Sequence, residues 1–386
     1  MNKQPRGAEA PFRLASIATT WHHGGPESRS ISHAAVILGR WLQDRPGDRA
    51  WGWEGPRTQL ASLYFEQLRD DDAVYTLCPE HDIPLADSVA EALTLGGDEL
   101  AVDGVLLIGE HGEYGHNELG QKLYPRKELF DAIVSVYERC GKVAPLFCDK
   151  HFSWNFEWAR EMVETAQRMG FMLFGGSSIP HCPREPALPS LAEAGPAEMV
   201  VVYAGDFEAY GFHSFEFAQS YAETRPGGER GVQRVTVYEG DTLDAALRGD
   251  EWSAELLEAA AQATGAQLDD VQWKHAIVLD HADGLRVTHL HAGRGVHGWG
   301  LAVRREGEQR IHATRTVMGG HDDFHAHFAG LARIIEDAML TGRQPFPVER
   351  TLLATGLTTA AMRGRAQAGV PLETSELAIR YAPLSV

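Results

Sequence analysis

The sequence predicts an α/β protein: a doubly wound parallel sheet in its N-terminal part, then a large, mostly antiparallel sheet with helices in its C-terminal part. Three observations predict this. From residue 12 to about residue 149, short apolar runs alternate with segments of helical periodicity, the pattern of a parallel sheet covered on both faces, and one more helix and strand follow. After about Pro180, β-rich segments are separated by Gly or Asp turns, which suits hairpins. The length of 386 residues, 44% of them hydrophobic, is enough for two cores.

In the first part, "RLASIAT" (13–19) reads as a strand, "SHAAVILGRWLQ" (32–43) as a helix and "TQLASLYFE" (58–66) as a strand. "SVAEALTL" (88–95) is a helix, "VDGVLLIGE" (102–110) a strand, "RKELFDAIVSVYERCG" (126–141) a helix and "VAPLFCDK" (143–150) a strand. "FEWAREMVETAQRMG" (156–170) and "FMLFGGSS" (171–178) add one more helix and strand. In the second part the strands are "EMVVVYAG" (198–205), "RVTVYEG" (234–240), "HAIVLDHADG" (275–284), "LRVTHLHAG" (285–293), "HGWGLAVRREGE" (297–308) and "RIHATRT" (310–316). "SAELLEAAAQAT" (253–264) and "HAHFAGLARIIEDAMLTG" (325–342) are helices, and "CPREPALPSLAEAGP" (182–196) is an exposed connection. Domain boundaries of 12–150 and 151–386 follow, with the last helix free to pack back on the first domain.

Charge and composition narrow the function. A formal net charge of -19 argues against nucleic acid or an anionic membrane as partner, because phosphate-rich surfaces need a basic face. A small-molecule substrate suits the chain better. Neither a signal-like apolar run near the N-terminus nor a stretch of about 18 apolar residues is present, so a cytoplasmic protein is expected. Cys78, Cys140, Cys148 and Cys182 form no C-x-x-C pair, which reads as four reduced thiols.

Particular motifs within these elements resemble the Gfo/Idh/MocA oxidoreductases. "VDGVLLIGEHGEY" is similar to that family's strand ending in a T-P-x-x-x-H loop, and "LFCDKHF" to its E-K-P strand end, with Asp149-Lys150-His151 in place of the motif. "YGFHSFE" resembles the D-x-G-x-H-x-x-D segment that opens the catalytic helix: Gly211 and His213 align, Glu216 takes the last acid's place, and Ala209 stands at the first, one residue after Glu208. "FAGLARIIEDAMLTGRQPFPVERTLLATGLTTAAM" (328–362) is similar to the closing segment. The resemblance implies a Rossmann-like N-terminal domain, a C-terminal domain whose open sheet faces the active site, and NAD or NADP as cofactor. It also implies a sugar, polyol or related hydroxylated substrate and a homodimer or homotetramer.

One departure stands out. Where the family has a G-x-G-x-x-G loop, the first strand runs into Thr19, Thr20, Trp21, His22 and His23 before Gly24-Gly25. Those glycines let the backbone approach a diphosphate resting on the helix N-terminus. Either Thr19 and Thr20 hydroxyls and backbone N–H groups meet the phosphates, or the pocket holds something else. Ser30 or Ser32 caps the next helix. Glu66, at the end of the second strand, stands where an acid binds a ribose diol, or is a solvated loop acid. Arg69 is the lone basic residue in "FEQLRDDD", which leans toward NAD over NADP.

Candidate chemistry gathers at the strand ends. Lys150 is placed to polarise a hydroxyl or stabilise an oxyanion, the alternative being a surface lysine. His213 suits a general base, with Glu216 one turn on to orient it and Tyr210 beside it as a phenol; the bland alternative is a histidine packed in the domain interface. Asp149 adjoins Lys150. Glu110 and His111 line a cofactor or substrate pocket, bind a metal, or belong to a polar loop. His33 meets an anion at its helix N-terminus or is a solvated or capping residue. Among the 18 histidines, His289 and His291 lie two apart on one strand face, followed by His297, with His321, Asp322, Asp323, His325 and His327 further on. With Glu110 and His111 they are the candidates for a divalent metal, were one bound, as a non-redox lyase, isomerase or hydrolase on the same frame would require. A silent sugar-binding or partner protein is the third reading.

Overall fold

The computed structural model describes residues 11–22, 31–70 and 72–384. His23, Gly24, Gly25 and Ser30 lie outside the described residues. In chain order the first part contains β1 (Arg13–Ala18), α1 (His33–Leu42), β2 (Gln59–Phe65), α2 (Val74–Glu80), α3 (Val89–Thr94), β3 (Gly104–Ile108), α4 (Arg126–Cys140), β4 (Leu146–Asp149), α5 (Phe156–Met169) and β5 (Leu173–Gly176). Its five strands are all parallel, in the order β2-β1-β3-β4-β5. Alternate residues of these strands are apolar on both sides, so both faces take helices. Ala15, Ile17, Val105, Leu107 and Leu146 meet α3, α4 and α5, whereas Leu14, Leu106, Ile108, Phe147 and Phe174 form the core on the α1 side.

The second part contains β6 (Arg184–Glu185), β7 (Pro196–Ala204), α6 (Ala209–Ala222), β8 (Val232–Glu239), α7 (Asp241–Arg248), α8 (Ala254–Ala263), β9 (Gln272–His281), β10 (Arg286–Arg294), β11 (Trp299–Arg305), β12 (Ile311–Thr316), α9 (His327–Thr341), α10 (Val348–Arg365) and β13 (Leu372–Glu373). Its eight strands run β13-β8-β9-β10-β7-β11-β12-β6 and pair antiparallel except β10 with β7. One face carries α6 and α10, and Val200, Val202, Leu290 and Ala302 on the other pack against Leu243, Leu256, Leu257 and Ala260 of α7 and α8.

The parts interlock across residue 150. The first sheet takes its fifth strand from β5, and α9 returns to it, burying Phe328, Leu331, Ile335 and Met339 against the core on the α1 side. Helices α2 and α7, like the two-residue strands β6 and β13, are elements that the periodicity does not announce. Helix α2 is only seven residues long and contains Pro79, and α7 follows the Gly240 turn directly, so neither helix offers a long apolar stripe.

Candidate functional site

A cavity of about 730 Å³ lies between the C-terminal ends of the parallel strands and the start of α6. This is where ligands gather in open α/β sheets. Each strand contributes its first loop residues to the wall. Lys150 follows β4 with φ +62°, a left-handed conformation costing about 1–2 kcal/mol for a residue with a Cβ. Its N–H is held by the Gly176 carbonyl at 3.1 Å, so the strand cannot simply run on and Lys150 turns toward the cavity. Gly176 itself has φ +122°, and a Cβ there would sit 2.5 Å from a Glu216 oxygen.

Lys150 is 3% exposed, and its Nζ lies 3.2 Å from Glu110 Oε1. The other Glu110 oxygen pairs with Arg126, whose Nη1 is 3.2 Å from His151 Nε2. Burial pushes the Glu110 carboxyl upward, but the charges of Lys150 and Arg126 outweigh it and hold the group well below the ordinary carboxylate range. Burial likewise keeps His151 neutral, lowering it well below its usual value. The lysine at the strand end is therefore no surface residue; it is one pole of a buried ionic cluster.

Asp149, 1% exposed, accepts from His33 Nδ1 at 2.6 Å, across 116 positions of sequence. The His33 ring lies between His111 and Phe328, with ring centres 5.4 Å and 5.1 Å away. Its backbone N–H points at His111 Nδ1, 3.3 Å away. His33 thus meets a carboxylate of its own chain, that of Asp149, beside the N-terminus of α1, and its backbone N–H there is taken by His111. Burial lowers His111 to about 3, so it does so as a neutral imidazole.

His213 lines the same cavity, 2.5 Å from Ser177 Oγ through Nδ1. Burial, then the charge of Lys150, lowers it well below its ordinary value. Glu216 does not orient it. That carboxylate accepts from Ser177 N at 3.0 Å and Thr351 Oγ1 at 2.7 Å, tying β5 to α10 beneath the site. Tyr210 stacks on Trp299 with ring centres 5.6 Å apart, and the pair forms an aromatic wall. Glu208, the residue before α6, does reach the cavity: Oε2 accepts from Lys122 N at 2.9 Å, and burial pushes the carboxyl up to about 7.

The remaining cofactor candidates lie elsewhere. Thr19 is fully buried and donates to the Glu110 carbonyl at 2.8 Å; neither it nor Thr20 lines the cavity. Glu66 accepts from the Tyr114 hydroxyl, and Gln67 exchanges hydrogen bonds with the Glu113 backbone, so the loop after β3 is fastened over the end of β2. Trp21 is fully buried, edge-on to Phe65 at 6.0 Å. Ser32 caps α1, its Oγ accepting from Ala35 N and His22 N. At the N-terminus of α1, where a dinucleotide's diphosphate rests in this fold, two N–H groups are already satisfied by protein atoms. The ordinary glycine cradle is absent among the described residues, whereas the space lined by Lys150, His213 and the Tyr210–Trp299 pair is open cavity.

The histidine pair on β10 faces α6 and is buried, not displayed. His289 Nδ1 meets Ser214 Oγ at 2.7 Å, and His291 meets His275 Nδ1 at 2.8 Å and the Gly205 carbonyl at 2.9 Å. His297 sits apart in the turn before β11. Glu110 and His111 are engaged as above. Among the described residues no three His, Cys, Asp or Glu side chains are grouped to hold a metal ion. His325 and His327 instead join the cavity wall.

Arg126, Ser177, Ser178, Tyr124 and Trp299 belong to the site without having been singled out by motif. For Arg126 the only local signal is its place at the first position of a helix that follows a strand-end loop. Burial of an arginine is not a property its own stretch of sequence can announce.

No family model matches the sequence, and no curated protein is similar to it. Solved structures are. GenD2 from gentamicin A biosynthesis, in complex with NAD, superposes with a TM-score of 0.57 at 15% identity, over 96% of this chain and 99% of that one. A myo-inositol dehydrogenase from Corynebacterium glutamicum gives 0.54 at 14%, over 94% and 99%. An oxidoreductase from Agrobacterium radiobacter, in complex with NAD+, L-tartaric acid and magnesium, gives 0.57 at 12%, over 95% and 99%. The chain thus has the fold of these proteins, the fold that its resemblance to the Gfo/Idh/MocA oxidoreductases implies.

Proposed function

We propose that this protein is an oxidoreductase acting on a sugar, polyol or related hydroxylated small molecule, with a nicotinamide cofactor, NAD in preference to NADP. The observation that carries the substrate class is the set of buried polar atoms left without a partner in the cavity wall: Ser178 Oγ, His151 Nδ1, Glu208 Oε1 and His327 Nδ1. A buried polar group left unsatisfied costs about 1–3 kcal/mol, and a ligand bearing several hydroxyls supplies both donors and acceptors to side chains of this kind in the wall. The Tyr210–Trp299 wall offers an apolar face to a sugar ring.

Within this reading Lys150 donates to the reacting oxygen and, held against Glu110, stabilises negative charge developing there. His213 and Glu208 fix the neighbouring hydroxyls. Hydride transfer is the chemistry that a bound nicotinamide would supply, and Glu110, His111 and Lys150 line the part of the cavity that would receive its ring. A cytoplasmic homodimer or homotetramer accompanies the proposal, and α7 and α8 limit which sheet face such an assembly can use.

The test is native mass spectrometry of freshly purified protein, followed by turnover of myo-inositol, scyllo-inositol and common aldoses with NAD+. A mass excess of one dinucleotide lost on denaturation, or NADH formation abolished by Lys150→Ala, supports the reading. Lys150→Ala with full turnover of an identified substrate refutes it.

A further inference from the structure

Two of the histidines that line the cavity, His213 and His33, are wired oppositely. Ser177 Oγ, buried, accepts from Ile179 N at 3.0 Å, and among the described residues its hydroxyl hydrogen has no acceptor other than His213 Nδ1 at 2.5 Å, so the arrangement that leaves no buried donor unpaired has Ser177 donating to His213. An imidazole that accepts at Nδ1 carries its proton at Nε2. His213 therefore presents an N–H to the cavity, which is a donor and not a base.

At His33 the arrangement is reversed. An Asp149 carboxylate oxygen can only accept, so Nδ1 carries the proton. Nε2, on a ring that lines the cavity, is then a free lone pair. Among the described residues it has no protein partner, and Asp149 is positioned to carry the counter-charge when it is protonated. A carboxylate that fixes the tautomer and stabilises the imidazolium is the physical core of the His–Asp pairs used in acid–base catalysis.

We propose that His33 is the catalytic base of this site and Asp149 its positioning residue, while His213 serves as a hydrogen-bond donor to substrate. In the forward direction the substrate O–H bond breaks, the proton forms the His33 Nε2–H bond, and the positive charge of the imidazolium is balanced by the Asp149 carboxylate 2.6 Å away. Lys150 faces the oxygen that loses the proton. The hydride and its acceptor are those of the reading above, on which this inference rests.

The test reads tautomers directly. In protein labelled with [15N]histidine, long-range 15N–1H spectra are assigned with His33→Gln and His213→Gln. The expected result at neutral pH and above is Nδ1–H with bare Nε2 at His33, and the opposite at His213. Asp149→Asn should mix the His33 tautomers and leave His213 unchanged, and Asp149→Glu should restore the original pattern. Nε2–H at His33, or no response to Asp149→Asn, overturns the proposal.

Kinetics with the substrate that the turnover assay identifies form the second arm. His33→Gln should lower kcat about 100-fold or more, whereas His213→Gln should act mainly on KM. Equal kcat losses at both residues, or none at His33, overturn the assignment. A wild-type chain that binds no nicotinamide and oxidises no polyol sinks the oxidoreductase reading alone; the tautomer spectra still decide the dyad.

Discussion

Replacing Glu110 with Gln removes one charge from a buried cluster and leaves two cations facing the gap. Lys150 Nζ is 3.2 Å from one carboxylate oxygen and Arg126 pairs with the other; both cations are all but inaccessible to water. Gln keeps one acceptor and the shape, so the change isolates charge. Removing one partner of a buried ion pair costs about 3–5 kcal/mol, because the surviving charge stays desolvated. With two cations stranded, the upper half of that range is expected. At roughly 2.1 cal/mol/K per residue, the chain melting as one unit has an unfolding entropy of about 0.8 kcal/mol/K, so Tm should fall by about 5–6 °C.

Calorimetry and urea titration at pH 7 measure this, and the pH dependence checks its origin. Because the folded Glu110 carboxyl is held well below its unfolded value, its contribution is complete above the unfolded pKa and is lost as pH falls toward the folded one. Wild type and Glu110→Gln should therefore differ most near neutrality and converge below about pH 4. A difference under about 1 kcal/mol at pH 7, against the 3–5 expected, would refute the account of the cluster as charge-balanced.

Glu208 has the opposite sign. Its folded carboxyl is raised to about 7, so the folded state retains a proton that the unfolded chain has released, and stability should fall as pH rises from about 4.5 to 7 and level off above. Glu208→Gln should abolish that slope, up to about 1.4 kcal/mol per pH unit, in urea titrations across the range. A Cβ at Gly300 would lie 2.3 Å from the Ala260 carbonyl, so Gly300→Ala should force α8 off the sheet and cost about 1–3 kcal/mol. An unchanged urea midpoint would mean that α8 does not approach so closely. Trp21→Ala should cost about 3–5 kcal/mol by emptying a fully buried site beside Phe65; a loss below 1 kcal/mol would mean that Trp21 is not a core residue.

Most of the first sheet is legible in the sequence because its strands, buried on both faces, appear as the apolar runs 13–19, 102–110 and 143–150, each followed by a helical stripe. Strand ends are equally legible, which is why Lys150, Glu110 and His111 could be placed at the cavity from position alone. Spacing misled where it stood in for contact. Glu216 lies one turn from His213 on α6, yet turns to Ser177 and Thr351, because β5 and α10 bring stronger partners to it. The paired histidines of β10 share a face as the period of two requires, but that face is roofed by α6.

What the sequence determined by itself is local: periodicity, turns, the missing glycines and the positions where strands end, all consequences of backbone geometry within a few residues. What tertiary structure decided is which groups meet. Asp149 and His33 are 116 residues apart, Arg126 and Glu110 are joined by a loop that must fold back, and α9 crosses from the second part to cover the first sheet. Proton positions and charge states follow from those meetings, since a hydrogen bond or a desolvated charge depends on atoms within a few ångströms, whatever their distance along the chain.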